Sequence, residues 1–76
     1  MDREYAVCYS KNDLVMYLTE LRFSRSTVKP YFHFHHLLSP IVFTYREACN
    51  IINLLYSLEY FPKSRKLVIE KVDLHV

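Results

Sequence analysis

The sequence predicts a small α+β domain: a mostly antiparallel sheet in the order β-β-β-α-β, with one helix packed on one face. Three observations support this fold class. Strand-like segments lie in both halves of the chain, one segment carries a complete helix-start signal, and the chain has 76 residues that are 51% hydrophobic. That length suits one core, and one helix on one sheet face buries such patterns most simply. We expect residues 1–76 to form one domain.

The first two elements are predicted to be a β-hairpin. Residues 4–9 (EYAVCY) are rich in strand formers, and residues 10–13 turn the chain with Asn12 and Asp13, which tolerate turn geometry that glycine would otherwise supply. Residues 14–21 (LVMYLTEL) fit both a helix period and a strand buried on both faces. The short turn and the neighbouring strand favour the strand.

An aromatic strand is predicted after a polar loop at residues 23–29. It comprises YFHFHH after Pro30, and alternation puts every second side chain on the same face. Residues 37–40 then turn the chain. One face is expected to carry Tyr31, His33 and His35, and the other Phe32, Phe34 and His36.

Residues 44–47 (TYRE) form a capping box, so a helix is predicted to start there and to run to about Leu58. Pro62 prevents its continuation. Its polar stripe is expected at Arg46, Asn50, Asn53 and Ser57, and its core face at Ala48, Ile51, Ile52 and Leu55.

The last element is predicted as a strand over residues 67–76, after a basic loop at 63–66. Its apolar alternation changes parity near Glu70 and Lys71. This change predicts a β-bulge at that point.

The sequence argues against an enzyme. It has no glycine, whereas phosphate-binding loops and nucleophile elbows need one for backbone geometry or close approach. Cys8 and Cys49 are expected to be buried, reduced thiols. A nucleophilic role for Cys49, in the first helical turn, is the less favoured alternative. Cys49 lies near the apolar face, and no glycine-containing loop can supply an oxyanion site.

The aromatic strand carries a candidate metal site. His33 and His35 are two residues apart, so both imidazoles point the same way, and His75 or a cysteine would have to complete a site. A structural zinc site usually has four ligands in two close pairs, and the sequence offers one such pair. We therefore predict no metal and no cofactor.

Two segments of the sequence resemble a group of small proteins. Residues 31–55 (YFHFHHLLSPIVFTYREACNIINLL) and 67–72 (LVIEKV) resemble the C-terminal half of small phage and prophage proteins of Gram-positive bacteria, in which F-[ST]-x-x-E-A leads into a helix. Phe43, Thr44, Glu47 and Ala48 fill that motif, and residues 5–18 resemble their opening hairpin. The resemblance implies this fold and a viral or prophage origin, but no functional residues.

The predicted helix has more apolar surface than one sheet face needs. Its apolar arc spans about 220°, whereas a little over 100° is enough for packing on a sheet. Phe61, Tyr60 and residues 37–43 could cover the excess, or another protein could bind there. The predicted protein-binding residues are Leu54, Tyr56, Leu58 and Tyr60.

The basic residues suggest an alternative. The net charge is only +2, but residues 21–46 contain no Asp or Glu, and basic residues among aromatic ones are typical of surfaces that bind nucleic acids. The same pattern also fits a structure without such a function, in which the basic residues lie in solvated loops and the aromatic residues lie in the core. The candidate nucleic-acid contacts are Arg22, Arg25, Lys29, Tyr31, His33, His35, Lys63, Arg65 and Lys66.

Two functions follow as hypotheses. The first is a phage or prophage accessory protein that binds a host protein, such as a defence nuclease, and inhibits it by occluding its surface; anti-CRISPR activity is one form of this, and a homodimer is a further possible assembly. The second is a nucleic-acid-binding regulator. The charged N-terminus and the lack of an apolar run of about 20 residues predict a soluble protein in the host cytoplasm, with no membrane partner.

Overall fold

A computed structural model describes residues 3–22 and 30–72. Its elements are β1 (Tyr5–Lys11), β2 (Leu14–Arg22), β3 (Tyr31–His35), α1 (Tyr45–Ser57) and β4 (Val68–Lys71). The four strands form one sheet in the order β3-β2-β1-β4, and each neighbouring pair is antiparallel. The predicted α+β fold is therefore confirmed, with residues 14–21 in a strand rather than a helix. The predicted loop at 23–29 lies outside the described residues.

The hairpin between β1 and β2 closes without glycine. Lys11 pairs with Leu14, so Asn12 and Asp13 form a two-residue loop, and their φ angles are 50° and 66°. Two-residue hairpins favour turns with positive φ at both positions, and Asn and Asp enter this region more easily than other side chains. The predicted turn chemistry is confirmed.

The bulge prediction near Glu70 and Lys71 is wrong. β4 pairs with β1 in an unbroken register from Cys8↔Val68 to Tyr5↔Lys71. The apparent change of parity falls where β4 ends, at Lys71, and residues 73–76 of the predicted strand lie outside the described part of the chain. The irregularity of the sheet is instead in β2, where the register shifts between Leu18 and Glu20.

Residues 41–43 lead the chain from the aromatic strand to the helix and tie two strands together. Pairing between β1 and β2 ends at Cys8↔Tyr17. Beyond it, Ile41 N donates to Leu18 O at 3.0 Å, and Tyr5 and Phe43 exchange two backbone bonds of 3.0 and 2.7 Å. This segment therefore contacts both strands where they no longer pair with each other, and it fixes the entry to α1.

The capping box is present as predicted. Thr44 Oγ1 accepts a bond of 3.1 Å from the Glu47 backbone N–H, and Glu47 Oε1 accepts one of 2.9 Å from Thr44 N. These bonds satisfy two backbone donors that have no partner within the helix, and the helix C-cap is Leu58. The predicted polar stripe is exposed, and the core-face residues are buried or half-buried.

The core lies between α1 and one face of the sheet. It contains the fully buried side chains of Phe61, Leu18, Leu55 and Val7. Cys8 is also fully buried, but it points to the opposite face of the sheet. We call that opposite face, which α1 does not cover, the open face. The alternation predicted for the aromatic strand is confirmed over its five residues: Tyr31 and His33 are exposed, and Phe34 is buried. His36 lies beyond the end of the strand.

Candidate interaction surfaces

Tyr56, one of the predicted protein-binding residues, is hydrogen-bonded to the segment that follows the helix. Its hydroxyl donates to Arg65 O and accepts from Leu67 N, both at 2.8 Å. Its ring meets Phe61 edge-on at 5.7 Å between centroids. The polar tip of Tyr56 thus supplies hydrogen bonds that residues 65–67 would otherwise lack.

The other three predicted protein-binding residues differ in their surroundings. Tyr60 is exposed, but its hydroxyl donates to Pro30 O at 2.7 Å and its ring stacks on Phe32 at 6.0 Å. Leu58 packs against the core. Leu54 is half-buried and lies outside the core cluster. Three of the four predicted residues therefore contribute to the packing of the fold itself.

The basic residues do not come together in one patch within the described chain. The Arg65 guanidinium lies 4.3 Å from the centre of the Tyr9 ring and also near Phe34 and Phe61. Lys63 Nζ donates to the carbonyls of Leu58, at 2.9 Å, and of Tyr56 at the end of the helix, where a cation also interacts favourably with the helix dipole.

The remaining candidates for nucleic-acid contact are spread over the sheet and its loops. Arg22 Nη2 lies 2.6 Å from Glu20 Oε1 on the same strand, so a carboxylate offsets its charge. Lys66 is exposed. Arg25 and Lys29 lie outside the described residues.

Histidines of β3 occupy the edge of the open face. The ring centroids of His33 and His35 are 6.0 Å apart, and the ring of His35 is stacked on that of His36 at 5.1 Å. His35 Nδ1 accepts a bond of 2.9 Å from Leu37 N. Within residues 3–22 and 30–72, no three His, Cys, Asp or Glu side chains are grouped as a metal site. His75 lies outside these ranges.

Cys8 is buried on the open face between two polar side chains. Glu70 accepts hydrogen bonds from Tyr17 Oη at 2.8 Å and from Cys8 Sγ at 3.7 Å. Burial, followed by the charge of Glu70 and this hydrogen bond, raises the pKa of Cys8 to about 11. Because the thiolate is the nucleophile, Cys8 is unsuited to covalent catalysis at neutral pH.

The other thiol, Cys49, is half-buried and free. It was expected in the first turn of the helix, but it is the fifth residue of α1, which begins at Tyr45. The dipole effect that would activate a thiol falls off beyond the first turn.

A surface not predicted from the sequence lies at one end of the sheet. Leu14 and Val15 are 47% and 38% exposed at the start of β2, and Leu37 and Leu38 are 78% and 55% exposed just after β3. Because Tyr17 pairs with His35 in antiparallel register, the two pairs of residues lie at the same end of neighbouring strands. We call these four residues the sheet-end patch. Two adjacent leucines in a predicted turn were the sequence signal for it.

Comparison with protein-family models, with curated proteins and with solved structures finds no match to this chain. The similarity to phage and prophage proteins therefore stays an expectation from sequence. In the described part of the chain, no helix has the length and apolar character needed to cross a membrane.

Proposed function

We propose that this protein works by binding another protein through the sheet-end patch. The observation that carries the proposal is the exposure of four large aliphatic side chains, Leu14, Val15, Leu37 and Leu38, at one end of the sheet. Single exposed apolar residues are common on protein surfaces. Several large ones grouped at one end of a sheet are less common and often mark interaction sites.

The patch is attached to hydrogen-bonded parts of the sheet, which favours binding because less conformational freedom is lost when a partner docks. Leu14 is paired with Lys11 beside the hairpin turn. The bond from Leu37 N to His35 Nδ1 ties the leucine turn back to the end of β3. Neither leucine of that turn belongs to the core cluster, so their apolar character supports recognition rather than folding.

The partner that fits the expectation from sequence is a host protein whose working surface becomes occluded, such as a defence nuclease in a bacterial cell. Support for this partner comes from the resemblance to phage and prophage proteins and from the size of the domain. Anti-CRISPR activity is one form that such inhibition takes. Among the protein-binding residues predicted from the helix surface, Leu54 is the best candidate for a further contact, because Tyr56, Leu58 and Tyr60 also pack or hydrogen-bond within the fold.

The test is an affinity capture from bacterial host lysate with three forms of the protein. These are the wild type, the patch variant Leu37→Glu/Leu38→Glu and the control Asn50→Glu/Asn53→Glu, which adds the same charge on the exposed stripe of α1. We expect the wild type and the control to retain one and the same host protein, and the patch variant to lose it. Equal capture by all three forms would overturn the assignment of the surface.

Nucleic-acid binding is the competing proposal. The observation in its favour is that Tyr31, 53% exposed, and His33 lie on the open face beside Arg22, which pairs with Tyr31 across the strands. A mobility shift with a single-stranded oligonucleotide separates the two functions. Binding that weakens steeply with salt, and that Arg22→Glu/Arg25→Glu abolishes, would place nucleic-acid binding first. We expect no shift for the wild type at physiological salt.

A further inference from the structure

β3 forms one edge of the sheet, and its exposed histidines are the starting point. The strand order leaves β3 with β2 as its single strand neighbour among the described residues. No backbone bond from the described chain reaches its outer edge. Such an edge offers free N–H and C=O groups to another strand. β3 also lacks lysine and proline, which natural proteins often use to block edge pairing.

His33 and His35 are arranged as a two-ligand chelate. They are two residues apart on one strand, so both rings project from the open face, and their centroids are 6.0 Å apart. Zinc binds histidine nitrogen at about 2.0–2.1 Å. Two imidazoles at this spacing can reach one ion through small rotations of their side chains.

One copy of the chain does not complete such a site within its described residues. Zinc in proteins is almost always bound by four ligands, whereas no group of three His, Cys, Asp or Glu side chains occurs in residues 3–22 and 30–72. His33 and His35 therefore supply half of a coordination shell. The missing half must come from water, from residues outside these ranges or from another molecule.

The sequence of one chain predicts no metal because it offers one close pair of ligands, but two chains offer two such pairs. We propose that a second copy of the chain supplies the missing ligands, and that a zinc-type transition-metal ion joins two copies through their β3 edges. Antiparallel pairing about a two-fold axis at Phe34 places His33 of each copy opposite His35 of the other. Cross-strand neighbours are about 4.5–5.5 Å apart, and residues i and i+2 are about 6.6–6.8 Å apart. Four imidazoles then surround one point above the extended sheet.

The same pairing is compatible with both cores. A two-fold contact uses the same surface on each copy. Because side chains alternate along a strand, the pairing keeps Phe32 and Phe34 on the helix side in both copies and the histidines on the open side. The metal site and the continuous sheet therefore form together, and neither requires the buried aromatic residues to move to the other face.

Metal binding has a predictable local consequence at Leu37. His35 Nδ1 accepts a hydrogen bond from Leu37 N, so in the neutral ring the proton is on Nε2. Coordination through Nε2 requires the proton on Nδ1, and coordination through Nδ1 uses the same lone pair. In either case the Leu37 bond is lost when the ion binds, and the Leu37 amide reports coordination at His35.

The experiment measures molecular mass by light scattering during size-exclusion chromatography, with zinc chloride and then with excess EDTA. We expect a monomer without metal, a dimer holding one zinc ion per two chains, and a return to monomer with EDTA. His33→Ala and His35→Ala should remain monomeric in zinc. His36→Ala is the matched control, because His36 is exposed and stacked on His35 but lies beyond the strand, and it should still dimerise.

Three outcomes would overturn the proposal: a monomer at every zinc concentration, one zinc ion bound per monomer, or a zinc dimer that His33→Ala retains. Circular dichroism of each variant establishes that it is folded. An NMR titration with zinc should shift the Leu37 amide in the wild type but not in His35→Ala. No shift in the wild type would contradict coordination at His35.

Discussion

The hydroxyl of Tyr17 on β2 donates a 2.8 Å hydrogen bond to the carboxylate of Glu70 on β4, and so links the two strands that flank β1. The side chain of Cys8 lies between them and donates to the same carboxylate. Hydrogen bonding to Glu70 raises the pKa of Tyr17 to about 12, with smaller effects of burial and of charge. The open face of the sheet is therefore stabilised by two protonated groups around one carboxylate.

This arrangement predicts a loss of stability in alkaline solution. Folding raises the pKa of Cys8 from 9.0 to about 11 and that of Tyr17 from 10.0 to about 12. A group whose pKa rises on folding stabilises the protein fully below its unfolded pKa, and this contribution is lost as the pH passes its folded pKa. We expect the free energy of unfolding to fall from about pH 9 to about pH 12.

Urea denaturation at a series of pH values measures this slope. Tyr17→Phe should have a shallower slope because it removes one of the two groups. Tyr31→Phe is the matched control, since Tyr31 is also on the open face but at the opposite edge of the sheet from Glu70. An unchanged slope in Tyr17→Phe would show that the Glu70 bond does not form in solution.

Cys8 should be the less reactive of the two thiols. It is 1% exposed, and its raised pKa keeps the nucleophilic thiolate scarce at neutral pH. In Cys49→Ser the remaining thiol is Cys8. We expect the native variant to react with a thiol reagent at the rate at which the protein unfolds globally or locally, and the denatured variant to react at once. Cys8→Ser, which retains the half-buried Cys49, should react faster in the native state. The reverse order would contradict the burial of Cys8.

Thr44→Ala should lower the free energy of unfolding by about 1 kcal/mol, because the N-cap loses its hydrogen-bond acceptor. Thr44→Ser retains the hydroxyl and should stay close to the wild type. Denaturant melts of the three proteins measure the difference. Equal stability of Thr44→Ala and Thr44→Ser would mean that the bond between Thr44 Oγ1 and Glu47 N contributes nothing in solution.

The features that the sequence predicted well are local ones. The capping box at Thr44 and Glu47 needs residues three apart, and the hairpin turn at Asn12 and Asp13 depends on the backbone preferences of two adjacent residues. Both appear in the fold as expected. The alternation of the aromatic strand is equally local. It correctly separated exposed His33 from buried Phe34.

Features that depend on distant contacts were missed. Periodicity treats Tyr56 as part of the excess apolar surface of the helix, but its hydroxyl bonds to residues nine and eleven positions later. The sequence pattern places Arg65 in a basic loop, whereas the fold brings three aromatic rings to its guanidinium. The sheet-end patch follows from strand order and register, which the sequence did not specify.

The position of Arg65 predicts that it stabilises the fold. A cation over an aromatic ring contributes about 0.5–1 kcal/mol at an exposed site and more when desolvated, and the alkyl part of Arg65 adds packing. We expect Arg65→Ala to cost about 1 kcal/mol or more in chemical denaturation. The neighbouring Lys66 is exposed, so Lys66→Ala should change stability by less than about 0.5 kcal/mol. Equal effects of the two substitutions would contradict the stacking.

Leu54 and Tyr56, which lie at the two borders of the apolar arc of α1, should respond differently to substitution. Tyr56→Phe removes the hydroxyl that bonds Arg65 O and Leu67 N, and Leu67 is buried. A buried polar group left without a partner costs about 1–3 kcal/mol, so this variant should melt at clearly lower denaturant, and Tyr56→Glu should be worse still. Leu54 lies outside the core cluster, so we expect Leu54→Lys to stay within about 0.5 kcal/mol of the wild type.

Measuring stability and binding on the same variants separates folding from recognition at this helix. If Leu54→Lys remains folded but weakens capture of the host protein, Leu54 extends the interaction surface, because adding a charge at an apolar contact weakens binding without affecting the core. If Leu54→Lys unfolds the protein as Tyr56→Glu is expected to do, both borders belong to the core and the helix offers no partner surface. If Leu54→Lys alters neither property, the interaction is confined to the sheet-end patch.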